Sequence, residues 1–307
     1  MKVLIIDIDK CNGCYNCQVA CKDEHVGNDW TPIAKPQPDT GHFWMKVTDI
    51  VQGTVPKVRV RYMHDICQHC DDAPCIRACK SKAIYKRDDG IVIIDPEKCT
   101  GNRSCIDACP YKVIHFNTDL NISQKCTMCA HLLDQGWKEP RCVDACPTGA
   151  LRFGEDSEPE LQALMAKAET LRPEAAAKPR VFYRNLPNKY FIAGAVWDPE
   201  ADEVLEGASV TLTNLTSKKT ATLQTDFFGD FWFERQEPGQ YSLKIEKSGY
   251  AAATIDSIDG TKDVNVGDIE LHQDVSEPRS EGKSKTGEGG VLARRPSRSQ
   301  SRRGAAL

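Results

Sequence analysis

The chain lacks any long apolar run. Nothing in its 307 residues approaches the roughly 20 consecutive apolar positions that a bilayer-spanning helix needs. Its opening, Met1-Lys-Val-Leu-Ile-Ile-Asp-Ile-Asp9, is too short and turns acidic too soon for a secretory signal, and no twin-arginine pair precedes it. It lacks a strong charge of either sign: the formal net charge is −4, so composition gives no argument for a nucleic acid or a membrane surface. Cysteine is absent after residue 146, although 15 occur up to and including it. An odd number of cysteines, at metal-ligand spacings, argues against a disulfide framework and for a reducing compartment. The expected location is the cytoplasm, or the periplasm only if a signal-bearing partner carries the folded chain out. One last absence is local. Asn102 stands where the pattern of the chain calls for a sixteenth cysteine.

What is present is four cysteine runs: Cys11, Cys14, Cys17 and Cys21; Cys67, Cys70, Cys75 and Cys79; Cys99, Cys105 and Cys109; and Cys126, Cys129, Cys142 and Cys146. The spacing C-x2-C-x2-C-x3-C wraps a cubane iron–sulfur cluster with three thiolates, the fourth reaching across to a second cluster. Two runs therefore exchange their last ligands. Sequential pairing and pairing of outer with outer and inner with inner both satisfy the spacing. Zinc asks for only four ligands in C-x2-C pairs, whereas each tight run here offers three or four. Four such runs make two double-cluster modules, a wire for electrons.

Residues 1–154 hold all the cysteines, with strand-like runs at Lys2–Ile8, Lys57–Tyr62 and Gly90–Ile94, and a strand–loop–helix unit that recurs. So much of this half is ligand loop that its folding is expected to depend on the clusters as well as on an apolar core. Residues 155–189 read as a linker. Ser157–Leu171 has the composition of a surface helix, with Ser157 as N-cap, Glu160 completing a capping box and Pro173 ending it. The extended, aromatic segment 178–184 suits either a partner surface or its own domain. Residues 190–272 show seven short runs of alternating β-branched and aromatic residues: Tyr190–Trp197, Ala208–Asn214, Thr220–Thr225, Asp230–Glu234, Tyr241–Lys247, Ala252–Ile258 and Asp263–Leu271. They are separated by turn signals, which predicts a small sandwich. Residues 273–307 carry eight Lys or Arg against four Asp or Glu and read as a disordered tail; its net +4 leaves −8 on the rest.

Family resemblance adds to this. Lys125-Cys-Thr-Met-Cys-Ala-His-Leu-Leu-Asp134, Pro140-Arg-Cys-Val-Asp-Ala-Cys-Pro147, Cys14-Tyr-Asn-Cys17-Gln-Val-Ala-Cys-Lys22 and Cys67-Gln-His-Cys-Asp-Asp-Ala-Pro-Cys75 resemble the iron–sulfur subunit of the dimethyl-sulfoxide reductase superfamily of molybdopterin oxidoreductases. The resemblance implies outer-with-outer and inner-with-inner pairing. Cluster one is then Cys11, Cys14, Cys17 and Cys146, and cluster two is Cys126, Cys129, Cys142 and Cys21. Cluster three takes Cys67, Cys70, Cys75 and Cys109. Cluster four is left with Cys99, Cys105 and Cys79, with Asn102 at its corner. Asn is a poor ligand for a soft iron–sulfide site. Three [4Fe–4S] clusters and one [3Fe–4S] cluster are therefore expected. A fourth cluster completed by water or another side chain, or no fourth cluster, are the rivals.

Gly41-His-Phe-Trp-Met-Lys46, Asp89-Gly-Ile-Val-Ile-Ile-Asp-Pro-Glu-Lys98 and Lys178-Pro-Arg-Val-Phe-Tyr183 narrow the likeness to the small subunits of pyrogallol–phloroglucinol transhydroxylase and resorcinol hydroxylase. The appended sandwich, similar to transthyretin-like or carboxypeptidase-regulatory domains, points the same way. The third run is more complete here than in that branch, which implies an extra cluster and suits net oxidation or reduction with an external partner.

The expected fold class is thus α+β: a duplicated ferredoxin-like iron–sulfur domain followed by a small all-β sandwich. The expected role is a non-catalytic subunit passing single electrons to or from a large subunit that carries a molybdenum or tungsten bis-pterin, with a soluble carrier as a further partner. Anaerobic phenol hydroxylation or transhydroxylation is the chemistry implied. No catalytic constellation is expected on this chain. The alternatives are the electron-transfer subunit of a respiratory arsenate, thiosulfate or polysulfide reductase, and a free-standing polyferredoxin with a docking sandwich. His25, His69, His115, His131, Lys22 and Lys80 lie near ligands and could tune the clusters, though ordinary packing or solvation is the plainer reading. Trp30, Trp44 and Trp137 read as core or interface.

Overall fold

The computed structural model describes residues 1–274; the remainder of the basic tail, expected to be disordered, lies outside the described residues. The first half is organised around one strand, β1 (Lys2–Asp7). Val3, Leu4, Ile5 and Ile6 are each buried to 1% exposure or less. Each such burial is worth about 2 kcal/mol, so this apolar tetrad alone anchors the N-terminus. Along the chain follow α1 (Asn16–His25), the ten-residue strands β2 (Met45–Thr54) and β3 (Lys57–Ile66), α2 (Pro74–Ala78), β4 (Ile84–Lys86) and β5 (Val92–Ile94). Next come α3 (Ser104–Ala108), β6 (His115–Asn117), β7 (Ile122–Gln124), α4 (Ala130–Asp134), α5 (Arg141–Asp144) and β8 (Leu151–Glu155). Then α6 (Pro159–Met165) and β9 (Val181–Arg184) close this half.

β1 lies at the centre of a three-stranded sheet, antiparallel to β8 and parallel to β9. The extended segment 178–184 thus packs on its own domain, with Val181 and Tyr183 fully buried. The helix in 155–189 is shorter than its composition suggests. Pro159 has no N–H to give and a φ suited to the first helical position, so Glu158 rather than Ser157 is the N-cap. The capping box does not form; the Glu158 carboxylate instead accepts the N–H of Glu155. Leu161 seals α6 onto Val3 and Ile5. The short helices that follow the cysteine loops pair across the domain: α1 packs on α5, and α2 on α3.

The second half is β10 (Tyr190–Asp198), β11 (Glu203–Val204), β12 (Ser209–Asn214), β13 (Thr220–Gln224), β14 (Asp230–Gln236), β15 (Gln240–Glu246), β16 (Ala253–Asp259) and β17 (Val264–Glu270). One sheet runs β11–β10–β14 with β17 parallel to β10, and the other runs β13–β12–β15–β16. Alternation sets which residues meet: Ile192, Val196, Val210, Leu212, Phe231, Phe233, Leu243 and Ile245 form the core between them. All seven alternating runs of the sequence are strands; the two-residue β11 is too short to show such a pattern.

The sandwich docks on the β2–β3 hairpin. Lys57 pairs with Asp230 at 2.6 Å and lies over the Trp232 ring, on which Arg59 also stacks at 4.2 Å. Arg61 bridges Asp9, beside the first cysteine loop, to Glu234 of the sandwich. β2 gives no strand signal in the sequence because its exposed positions, Lys46, Asp49, Val51 and Thr54, fall on both faces and leave no sustained apolar alternation.

Candidate metal centres

Four groups of cysteines converge. Cys11, Cys14, Cys17 and Cys146 form the first: burial pushes the Cys17 thiol up to about 12, and Cys11, Cys146 and Cys14 add to the effect. A second cavity is lined by Cys21, Cys126, Cys129 and Cys142, and a third by Cys67, Cys70, Cys75 and Cys109. A fourth is lined by Cys79, Cys99 and Cys105, with Asn102 on its wall. Each group takes thiols from two runs, because α1 and α5, and likewise α2 and α3, bring the loops together.

The groups adjoin one another in succession. Beyond the dominant effect of burial, Cys142 is raised by Cys17 of the first group, Cys126 by Cys67 of the third, and Cys75 by Cys105 of the fourth. The order along the domain is first, second, third, fourth.

The residues present fit iron–sulfur clusters. Burial drives the Cys70, Cys75, Cys126 and Cys129 thiols up to about 12, and Cys21 and Cys142 well above their ordinary range. Such groups become thiolates only against a cationic metal core. Backbone N–H groups already point at sulfur: Met128 to Cys126 at 3.3 Å and Ser123 to Cys99 at 3.4 Å. Cys79 receives N–H groups from Ser81, Ala83 and Ile84, and Cys146 from Thr148, Ala150 and Leu151, at identical offsets along the chain. Among the described residues no group of three or more His, Cys, Asp or Glu is placed to hold a metal ion. A single zinc would draw four sulfurs to about 2.3 Å from one point.

Of the other residues singled out in the sequence, His25 reaches a ligand: its Nε2 is 3.9 Å from Cys129 Sγ, and its ring tilts on Trp44. His69 lines the third cavity; its Nδ1 accepts the Val92 N–H at 3.0 Å and its Nε2 finds no partner in the protein. His131 bonds Glu24 at 2.9 Å and stacks on Trp30, while His115 stacks on His42. The Lys22 ammonium is spent on the carbonyls of Pro38 and His42. Lys80 is exposed at the rim of the fourth cavity, and Trp137 is exposed beneath Arg141. Two residues lie beyond the reach of sequence reasoning. His64 Nε2 is 3.8 Å from Cys11 Sγ, delivered by β3 from a remote stretch with no local signal. Lys125, directly before Cys126, is almost wholly buried; its place in the Lys-Cys motif is visible in the sequence, its burial is not.

Comparison with known proteins points to iron–sulfur chemistry as well. Residues 58–156 match the family described as 4Fe-4S dicluster domain, and residues 192–272 the carboxypeptidase regulatory-like domain. The pyrogallol hydroxytransferase small subunit of Pelobacter acidigallici is 39% identical over 277 residues, covering 87% of this chain and 98% of its own. The iron–sulfur subunit of arsenate respiratory reductase from Shewanella sp. (strain ANA-3) is 31% identical, covering 59% of this chain and 94% of its own. A component of the tetrathionate reductase of Salmonella typhimurium is 31% identical over 61% of this chain and 73% of its own.

Proposed function

The chain belongs to the iron–sulfur subunits of the dimethyl-sulfoxide reductase superfamily of molybdopterin oxidoreductases, and on that premise we propose that it holds four clusters in line and passes single electrons to or from a large pterin-bearing subunit that converts phenols. What supports this reading is the convergence of the cysteines into four groups, each adjoining the next. Bound there, the clusters supply one-electron redox steps. The protein's part is to fix their order, exclude water and aim N–H groups at sulfur.

The ligand sets are Cys11, Cys14, Cys17 and Cys146; Cys126, Cys129, Cys142 and Cys21; and Cys67, Cys70, Cys75 and Cys109, each for a [4Fe–4S] cluster. Cys99, Cys105 and Cys79 hold a [3Fe–4S] cluster, because the Asn102 amide oxygen is already engaged by the Ser104 hydroxyl and is a poor match for soft iron. The equal N–H offsets at Cys79 and Cys146 support a duplicated ferredoxin-like origin.

Phenol hydroxylation or transhydroxylation, over a respiratory reduction, is favoured by coverage. The pyrogallol relative matches across most of the chain, whereas the arsenate relative has no counterpart for about two fifths of it. Among the described residues no helix is long and apolar enough to cross a membrane.

Anaerobic purification from the native source tests the proposal. It should give about 15 iron atoms per chain, a three-iron EPR signal in the oxidised state and a co-purifying pterin subunit. A cluster-bearing chain isolated alone would support a free polyferredoxin instead. About 12 iron atoms and no three-iron signal would remove the fourth cluster.

A further inference from the structure

Lys125 is 2% exposed and lies between the second and third cavities, since its ammonium bonds Cys126, which lines the one, and Val92, which lines the other. Its ammonium donates to the carbonyl oxygens of Val92 and, at 3.0 Å, Cys126. Among the described residues no carboxylate pairs with it. The other well-covered lysines differ: Lys57 has Asp230 at 2.6 Å, and Lys86 has Asp71 at 2.9 Å. A buried ammonium without a counter-ion is costly, and carbonyl dipoles alone do not neutralise it. Its field falls on both neighbouring sites, favouring the thiolate of Cys126 in the second and of Cys75 in the third. A thiolate-bound iron–sulfur core carries net negative charge, so the missing counter-ion is present on both sides once the clusters are bound.

We propose that Lys125 is the shared counter-ion of the second and third clusters, fixed between them so that it raises both reduction potentials together. The inference rests on the cluster assignment above. Charge and solvent exposure are among the factors that set such potentials, and a single buried cation bonded to the walls of both sites would act on both.

The test uses the cluster-loaded protein with its accompanying subunit, with Lys125→Gln, which keeps an N–H donor without the charge, and Lys125→Arg, which keeps the charge. Iron and sulfide content is measured first; a wild-type chain without clusters sinks the assignment itself, independently of Lys125. EPR-monitored redox titration then reads the midpoints. In Lys125→Gln two of them should fall, each by about a tenfold change in the oxidised-to-reduced ratio (about 59 mV for one electron), while the others hold and Lys125→Arg stays near wild type. Unchanged midpoints in Lys125→Gln, or an equal shift of all of them, overturn the proposal. Loss of clusters in Lys125→Gln with retention in Lys125→Arg supports it, since a cation is then what the site requires. Loss in both overturns it, since shape rather than charge would be needed.

Discussion

Asn102 occupies the backbone position that Cys14 holds in the first loop. Each follows a glycine in the left-handed region (Gly13 at φ 70°, Gly101 at φ 69°) and precedes a second left-handed residue (Tyr15 at 60°, Arg103 at 65°). A short helix starts one residue later in both, at Asn16 and at Ser104. The loop geometry for a fourth ligand is therefore intact, and only the sulfur is missing.

Asn102→Cys should complete the site. The three-iron EPR signal of the oxidised protein is expected to vanish, with iron per chain rising by about one. Persistence of that signal at full strength would show that the vacant corner has another cause.

His69 offers a second handle. Its Nδ1 accepts the Val92 N–H, so the neutral ring carries its proton on Nε2, the buried nitrogen that has no protein acceptor. A donor to cluster sulfur stabilises the more negative reduced state. In an EPR-monitored redox titration, His69→Leu should lower one midpoint potential and leave the rest in place. A full set of unchanged midpoints would remove His69 from the cluster's surroundings. The equivalent left-handed residue in the fourth run is Met128, which has no such donor.

The Lys57–Asp230 pair ties the two domains together. Lys57→Met leaves Asp230 half-buried without its cation and should cost about 3 kcal/mol, seen as an earlier denaturant midpoint and faster proteolytic release of the sandwich. Removing both charges, with Asp230→Leu, should recover most of that loss. If the single variant matches wild type, the pair is not what fastens the sandwich.

Acid sensitivity of the sandwich should trace to Asp198. Hydrogen bonds from Gln273 Nε2 at 2.8 Å, the N–H groups of Ala201 and Glu200, and the Tyr250 hydroxyl hold its carboxyl well below the usual range. A depressed folded-state value means that the stabilisation is complete above about pH 4, the unfolded carboxyl value. It is lost as pH falls through the lower folded value, because the unfolded chain takes up the proton first. Asp198→Asn should weaken the sandwich at neutral pH and flatten this acid limb, measured by protease susceptibility against pH. An acid limb as steep as in wild type would place its origin elsewhere.

Much of this is legible in the residues alone. A cubane-binding loop is local: its three close cysteines and the glycines that allow left-handed turns lie within a few residues of each other, so their chemistry shows in the spacing. The sandwich strands are legible for a similar reason, since inward and outward faces alternate along each strand. The helix near 160 is displaced from its sequence expectation by a few residues, because composition suggests a Ser157 cap that Pro159 shifts to Glu158.

By itself, then, the sequence determined that thiol-rich loops precede a β-sandwich and that one ligand is replaced by Asn102. Tertiary structure decided which loops meet, because that depends on α1 packing against α5 and α2 against α3 across more than a hundred and about thirty residues respectively. It also decided that β3 brings His64 to Cys11, that the hairpin carries the sandwich through Lys57, and that Lys125 is buried between the second and third cavities. These are long-range facts. Residue spacing encodes a loop's chemistry, but contacts and fields between loops exist only once the apolar core around β1 has brought them together.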